Sequence, residues 1–240
     1  MTDSNPVTMQ RLLPEPGKLA VHEAYSIGHR RRVGDRPWIV MCMIASADGA
    51  LALDGRAEGL GNATDRAAFL HLHRSTDAVL VGAATVRAGD VYTPLAAPRQ
   101  LFIVSRSGDL GAHGSHLRAA STTHVVSGDV GDIVRRIPGD TCLLEGGAVL
   151  NGQMLAAGLV DEVFLTYAPR FVSSDATRIA LGPPASREPW LLTQLCVDDA
   201  GFLFARYERD TTLGSRETPL ASRETPLASR DTPSGSRSAL

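Results

Sequence analysis

An uninterrupted apolar stretch runs from Trp38 to Ala45. It has strand length and no polar alternation, the pattern of a strand covered on both faces. From there, strand-like runs alternate with helical patterns. Asp65 to Arg74 reads as a helix, with Asn62 or Thr64 as its N-cap. Ala78 to Val81 is a short buried strand, followed by Gly82 and a helix from Ala83 to Ala88. Leu101 to Val104 and Thr123 to Val126 are strands, and Asp129 to Arg136 is a short helix. Cys142 to Leu144 is a strand, then come Gly146-Gly147 and a helix from Ala148 to Ala157. Asp161 to Tyr167 is a strand, and Trp190–Leu195 with Phe202–Tyr207 forms a hairpin around Asp198-Asp199-Ala200-Gly201. This order predicts an α/β fold: a mostly parallel central sheet, helices on both faces and an antiparallel C-terminal hairpin. Ligands in such sheets bind beyond the carboxyl ends of the strands.

The pattern divides the chain into three parts. Residues 1–36 read as an irregular leader, with Arg30-Arg31-Arg32 as a solvated loop. Residues 37–210 form the domain. From Ser215 the segment Ser-Arg-Glu-Thr-Pro-Leu-Ala repeats, and proline in every copy defeats a helical heptad. Residues 211–240 are therefore expected to be a disordered tail.

Composition narrows the chemistry. The chain has 240 residues, 43% apolar and 21% charged, with net charge −2. That balance offers no footprint for nucleic acid or an anionic membrane. No apolar run reaches the roughly 20 residues that span a bilayer, and no secretory leader is visible. Three widely spaced cysteines, Cys42, Cys142 and Cys196, form no CxxC, so neither a metal site nor a disulfide framework is signalled. A reduced cytoplasmic chain is expected. Lys18 is the only lysine beside 23 arginines. It lies in a Pro/Gly-rich stretch, which argues against Schiff-base and Walker-type chemistry.

Two strand-to-helix junctions carry glycine: Val81-Gly82-Ala83 and Glu145-Gly146-Gly147-Ala148. Glycine permits a tight turn, and it also lets an anion approach the N–H groups of a helix start. Both readings stand for each junction, and Glu145 adds an acid at the second. Ser105-Arg106-Ser107 follows a strand; it suits a ribose 2′-phosphate or simply forms a polar turn before Gly108. Ser46-Ala47-Asp48-Gly49 is a turn at the end of the first apolar strand, with Asp48 also a candidate acid. His71 and His73 are two apart on a helix, so they form no metal pair; surface or packing roles are expected. No Gly-x-Ser-x-Gly nucleophile turn exists.

Ser46-x-Asp48-Gly49, Asp77–Gly82 with Thr85-Val86, Glu145-Gly146-Gly147 with Leu150, and Leu159–Glu162 with Ala168-Pro169 occur in this order. Together they resemble the C-terminal reductase domain of the riboflavin-biosynthesis deaminase-reductase (RibD) family. The similarity spans roughly Trp38 to Glu208, and Val86-Arg87-Ala88 with Gly201-Phe202-Leu203 points to the stand-alone actinobacterial pyrimidine reductases. The resemblance implies a dihydrofolate-reductase-like fold, an NADPH cofactor and a homodimer. It implies reduction of an aminouracil ribosyl phosphate at the ribosyl C1′. By the same resemblance Ala45, Gly82, Thr85, Val86, Ser105, Arg106, Ser107 and the run Gly146, Gly147, Ala148, Val149, Leu150 to Gln153 contact the cofactor. Ser46, Asp90 and Glu145 face the substrate, and Glu145 and Asp48 are the candidate catalytic acids.

Three departures stand out. The deaminase zinc motif is absent, so the chain is not bifunctional. Cys42 stands where many relatives carry lysine, and Gly89-Asp90-Val91 replaces their Asp-Asp-Pro. Reduction of dihydrofolate or another pterin, or a non-catalytic NADPH-binding role, are the alternatives that these departures leave open.

Overall fold

The computed structural model describes residues 6–51, 59–88, 92–173, 176–183 and 189–210. The expected tail, residues 211–240, lies outside them. Strands are β1 (Thr8–Leu13), β2 (Gly17–Ala20), β3 (Trp38–Ser46), β4 (Ala78–Gly82), β5 (Gln100–Val104), β6 (Thr123–Val126), β7 (Thr141–Leu144), β8 (Glu162–Ala168), β9 (Trp190–Val197) and β10 (Leu203–Arg209). Helices are α1 (Val21–Ala24), α2 (Ala63–Ser75), α3 (Ala83–Ala88), α4 (Gly114–Ala119), α5 (Val130–Arg135) and α6 (Ala148–Ala156). One ten-stranded sheet has the order β2-β1-β9-β10-β8-β3-β7-β4-β5-β6. From β8 to β6 neighbouring strands are parallel. From β2 to β8 they are antiparallel. The expected mostly parallel sheet, flanked by helices, is the one observed.

Alternation along the central strands builds two cores. Val40, Val79, Val81, Leu101, Ile103 and Leu143 pack on one face with Leu72 of α2, Val86 of α3 and Leu117 of α4. Ile39, Met41, Leu80, Phe102 and Leu144 pack on the other with Val134 of α5 and Leu150 and Met154 of α6. Each such side chain contributes about 1.5–3 kcal/mol on full burial. Polar residues punctuate the helix starts. Asn62 Oδ1 accepts the Asp65 N–H at 2.9 Å, and Asp129 Oδ1 accepts that of Gly131 at 2.8 Å.

Residues 6–36 are not an irregular leader. β1 and β2 form a hairpin, and β1 pairs with β9, Gln10 opposite Val197 and Leu13 opposite Leu195. Only Met9 of β1 is buried, so ladder hydrogen bonds rather than an apolar run define the strand, and hydropathy alone misses it. Of the arginine run, Arg31 and Arg32 are exposed as expected of a solvated loop, but Arg30 is not. Arg30 pairs with the fully buried Glu162 at 2.9 Å and with Glu208 at 2.8 Å, its guanidinium lying over Trp38. Glu162 also accepts Trp38 Nε1 at 3.0 Å and Arg206 Nε at 2.5 Å. Arg36 grips Asp161 with both terminal nitrogens, at 2.6 and 2.8 Å. These ion pairs clamp the amino ends of β3 and β8, away from the carboxyl ends where a ligand is expected.

Candidate active site

At the carboxyl ends the two glycine junctions interlock. The Gly82 N–H donates to Gly146 O at 2.6 Å, and the Glu145 N–H donates to Leu80 O at 3.0 Å. A Cβ on Gly82 would lie 3.2 Å from Gly147 N, so this glycine serves close backbone approach. Gly146 has φ +89°, in the left-handed region, and the Gly146–Gly147 peptide is cis. Gly147 is the N-cap of α6 and brings no side chain to it. The first N–H groups of this nine-residue helix thus have no side-chain cap, the arrangement that suits an anion. Thr85 closes one side, its Oγ1 2.9 Å from where a Gly147 Cβ would stand. Val149, 60% exposed, flanks the helix start. Asn151 lies beneath it with Nδ2 donating to Ile179 O at 2.7 Å and Oδ1 buried without a partner.

The turn after β3 is built by Ser46 and Asp48. The Ser46 hydroxyl donates to Asp48 Oδ1 at 2.5 Å and accepts the Ala50 N–H at 2.8 Å. Asp48 also accepts the N–H groups of Val172 and Ser173, the latter at 2.7 Å. The Ser46 hydroxyl and then these amides hold the exposed carboxyl at about pKa 2. A group so placed stays ionised and ties the turn to the segment after β8. Its structural partners explain both residues without a substrate. Asp90, the third residue expected near substrate, lies outside the described residues.

Glu145 is different. Its side chain is 6% exposed and extends β7 towards α2. The Tyr92 hydroxyl donates to its Oε2. Its Oε1 is buried with no hydrogen bond, and His73 Nε2 lies 3.5 Å away. Burial pushes the carboxyl up to about 7, against the Tyr92 bond and the Arg99 charge, which both favour ionisation. His73 is pushed down to about 4 by burial and by the charges of Arg99 and Arg74, so it is neutral near pH 7. Farther along, the carboxylate of Asp65 is raised by burial and accepts a bond from Thr166. Asp65, on α2, and Glu145, directly after β7, both act on Cys42 of β3.

The other expected contacts divide. Gly82, Thr85, Gly146, Gly147, Ala148 and Val149 form or flank the junctions, while Ala45 is buried on β3 opposite Tyr167 of β8. Val86 and Leu150 are buried in opposite cores, and their side chains are packing elements. Ser105 is buried with its N–H on Val126 O at 2.9 Å, while Arg106 and Ser107 are exposed at the same strand end. The sequence reading missed Tyr92, Arg99 and Asp65 and gave His73 a surface or packing role. A weak signal existed: Tyr92 follows the segment aligned with Asp-Asp-Pro. Only the fold brings it to Glu145.

Comparison with known proteins agrees with this layout. The riboflavin biosynthesis protein RibD of Mycobacterium tuberculosis is 30% identical over 164 residues, which cover 63% of this chain and 47% of that protein. The chain therefore spans about half the length of the curated relatives it matches. A pyrimidine reductase-like protein from Corynebacterium diphtheriae superposes with TM-score 0.59 at 21% identity, covering 72% of this chain and 92% of that one. Dihydrofolate reductase from Enterococcus faecalis shares the fold at TM-score 0.52 and 15% identity, covering 72% and 96%. The model of the RibD C-terminal domain matches residues 37–204, from the start of β3 into β10 and through both glycine junctions; the chain belongs to that family.

Proposed function

We propose that the chain is an NADPH-dependent reductase of a 5-amino-6-(5-phosphoribosylamino)uracil-type substrate, delivering hydride to the ribosyl C1′. The observation that carries this reading is a buried acid, Glu145, set directly before the uncapped start of α6. The residues present fit the cofactor. Unpaired N–H groups of α6 suit a pyrophosphate, and the partnerless Oδ1 of Asn151 and Oε1 of Glu145 await donors in the same region. Arg106 with Ser105 and Ser107 is assigned to the ribose 2′-phosphate. When bound, the nicotinamide supplies the hydride.

The chain's own residues supply the rest. Glu145 keeps its proton up to about pH 7 and gives it to the nitrogen of the open-chain ribosyl imine as C1′ accepts hydride. The C=N bond becomes CH–NH, and the carboxyl becomes carboxylate. Cys42, where many relatives carry lysine, is held as a neutral thiol by burial and by the charges of Asp65 and Glu145. No cation stands there, and the proton is assigned to Glu145. A homodimer belongs to the same reading. Among the described residues no helix covers the sheet face formed by Leu192, Leu195, Leu203 and Tyr207, and Leu192 and Leu203 are exposed. The three free cysteines fit a reducing cytoplasm.

The test is NADPH titration by nicotinamide fluorescence, followed by NADPH oxidation with the aminouracil ribosyl phosphate and with dihydrofolate in separate reactions. Binding plus turnover of the aminouracil supports the reading. Turnover of dihydrofolate alone assigns a pterin reductase. Binding with no turnover of either assigns a nucleotide-binding protein without this chemistry.

A further inference from the structure

Glu145 poses a supply problem. A carboxyl this deeply buried can give its proton once, and turnover requires that the proton be replaced from water. The two sides of the carboxyl are not equivalent. Oε2 is taken by the Tyr92 hydroxyl, from the segment that follows α3. Oε1 has no hydrogen bond, and the atom facing it is His73 Nε2 of α2, at 3.5 Å. The His73 side chain is 25% exposed against 6% for Glu145, so the imidazole reaches from the carboxyl to the surface. Its ring is fixed in place. Phe69 packs 5.7 Å away, and the Arg99 guanidinium donates to the His73 carbonyl.

We propose that His73 is the proton inlet of the site, reloading the Glu145 carboxylate from solvent between turnovers, while Tyr92 positions the carboxylate by holding its second oxygen. The proposal rests on the reading of Glu145 as proton donor. After Glu145 has lost its proton, Nδ1 takes a proton from solvent as Nε2–H passes its own to Oε1, so the ring never becomes an anion. Exchange between the two ring tautomers then restores Nε2–H. Imidazole suits this work because one nitrogen donates while the other accepts. The groups that face or act on Glu145 from the surrounding elements are Tyr92, His73, Arg99 ahead of β5, Cys42 of β3 and Cys142 of β7. Both thiols are raised by burial and stay neutral, and Arg99 points its backbone-bonded guanidinium at the carbonyls of Thr76 and His73. Of these groups, only His73 joins the open Oε1 to solvent, and as a neutral imidazole it can donate at one ring nitrogen while it accepts at the other.

Two variants test the inlet. His73→Gln keeps a polar side chain of similar reach but carries no exchangeable tautomer. Turnover is expected to fall at least about tenfold, with KM and NADPH affinity within about twofold of the wild type. Added imidazole is expected to restore part of the rate. Tyr92→Phe removes a bond that favours the carboxylate, so the titration midpoint of Glu145 moves up, read by the carbonyl stretch of the carboxyl in infrared difference spectra. A His73→Gln enzyme with wild-type turnover and no response to imidazole overturns the inlet. An unmoved Glu145 midpoint in Tyr92→Phe overturns the role given to Tyr92. Glu145→Gln separates the levels: full turnover in that variant sinks the Glu145 reading itself, whereas an impaired Glu145→Gln beside an unimpaired His73→Gln sinks only the inlet.

Discussion

A buried carboxyl is costly to ionise, even where a phenol donates to one of its oxygens. For Glu145 the folded state raises the titration point from 4.5 to about 7. The native state therefore binds more protons than the unfolded chain between these values, and stability falls as pH rises through them. The penalty is absent below pH 4.5 and complete above about 7, where it amounts to about 3 kcal/mol. Glu145→Gln is expected to flatten the fall in melting temperature between pH 5 and 7.5, measured by scanning calorimetry; a wild-type slope in the variant would place the titration elsewhere. In the reaction the same substitution is expected to lower kcat at least about tenfold, equal to 1.4 kcal/mol, with NADPH affinity changed by less. Turnover that depends on the protonated form falls as pH rises through 7. At the other end of the proposed cofactor site, Arg106 is an exposed guanidinium. Arg106→Ala is expected to lose about tenfold in preference for NADPH over NADH, read from paired binding titrations. An unchanged ratio would remove Arg106 from the 2′-phosphate.

At the scale of elements, the start of α6 is where substitutions separate turn from cradle. Gly147 has φ −80°, a value any residue adopts, so its lack of a side chain is not a matter of backbone strain. A Cβ there meets the Thr85 hydroxyl at 2.9 Å, in front of the helix N–H groups. Gly147→Val is expected to abolish NADPH binding while leaving the far-ultraviolet circular dichroism and the cooperative melt intact. Gly152 on the same helix is the contrast. A Cβ there falls 2.0 Å from Leu181 O, on a segment whose Leu181 N–H donates to Ala148 O at 2.9 Å. Gly152→Ala is expected to cost about 1–3 kcal/mol by overpacking, visible as a lower midpoint in urea. Most elements of the parallel half were legible because they are apolar runs or capped helices; the short α4, with Leu117 its one buried residue, left no such mark and was missed. Asn62 and Asp129 mark the starts of α2 and α5 in the letters as they do in the fold. The position of Glu145 was legible too. Its partners were not, since Tyr92 lies 53 residues away along the chain and a local pattern carries no information about such pairs. The arginine run misled for the same reason: Arg30 finds Glu162 132 residues later. β1 was hidden because an edge strand with one buried residue is held by its neighbour's backbone rather than by its own hydrophobicity.

For the whole molecule the sheet has two characters. Its parallel half is covered by helices and carries the glycine junctions. Its antiparallel half leaves an apolar face of β9 and β10 without a helix among the described residues. Leu192→Asp with Leu203→Glu places charge on that face, at positions already exposed in one chain. The wild type is expected to sediment as a dimer, and the double variant as a monomer that still melts cooperatively. A wild-type chain that is monomeric at tens of micromolar would remove the dimer from the proposed reading. The pairing of β1 with β9 has a consequence for biosynthesis. The hairpin Thr8–Ala20 is translated long before the strand that accepts it, Trp190–Val197, leaves the ribosome. The nascent parallel core can collapse while its amino-terminal strands have no acceptor, and a lone two-stranded ribbon is only marginally stable in water. Throughout that interval the free edge of β1 is available for strand addition by a neighbouring nascent chain. On crowded polysomes, the rate at which translation reaches Val197 then sets how long the newborn protein is exposed to misassembly.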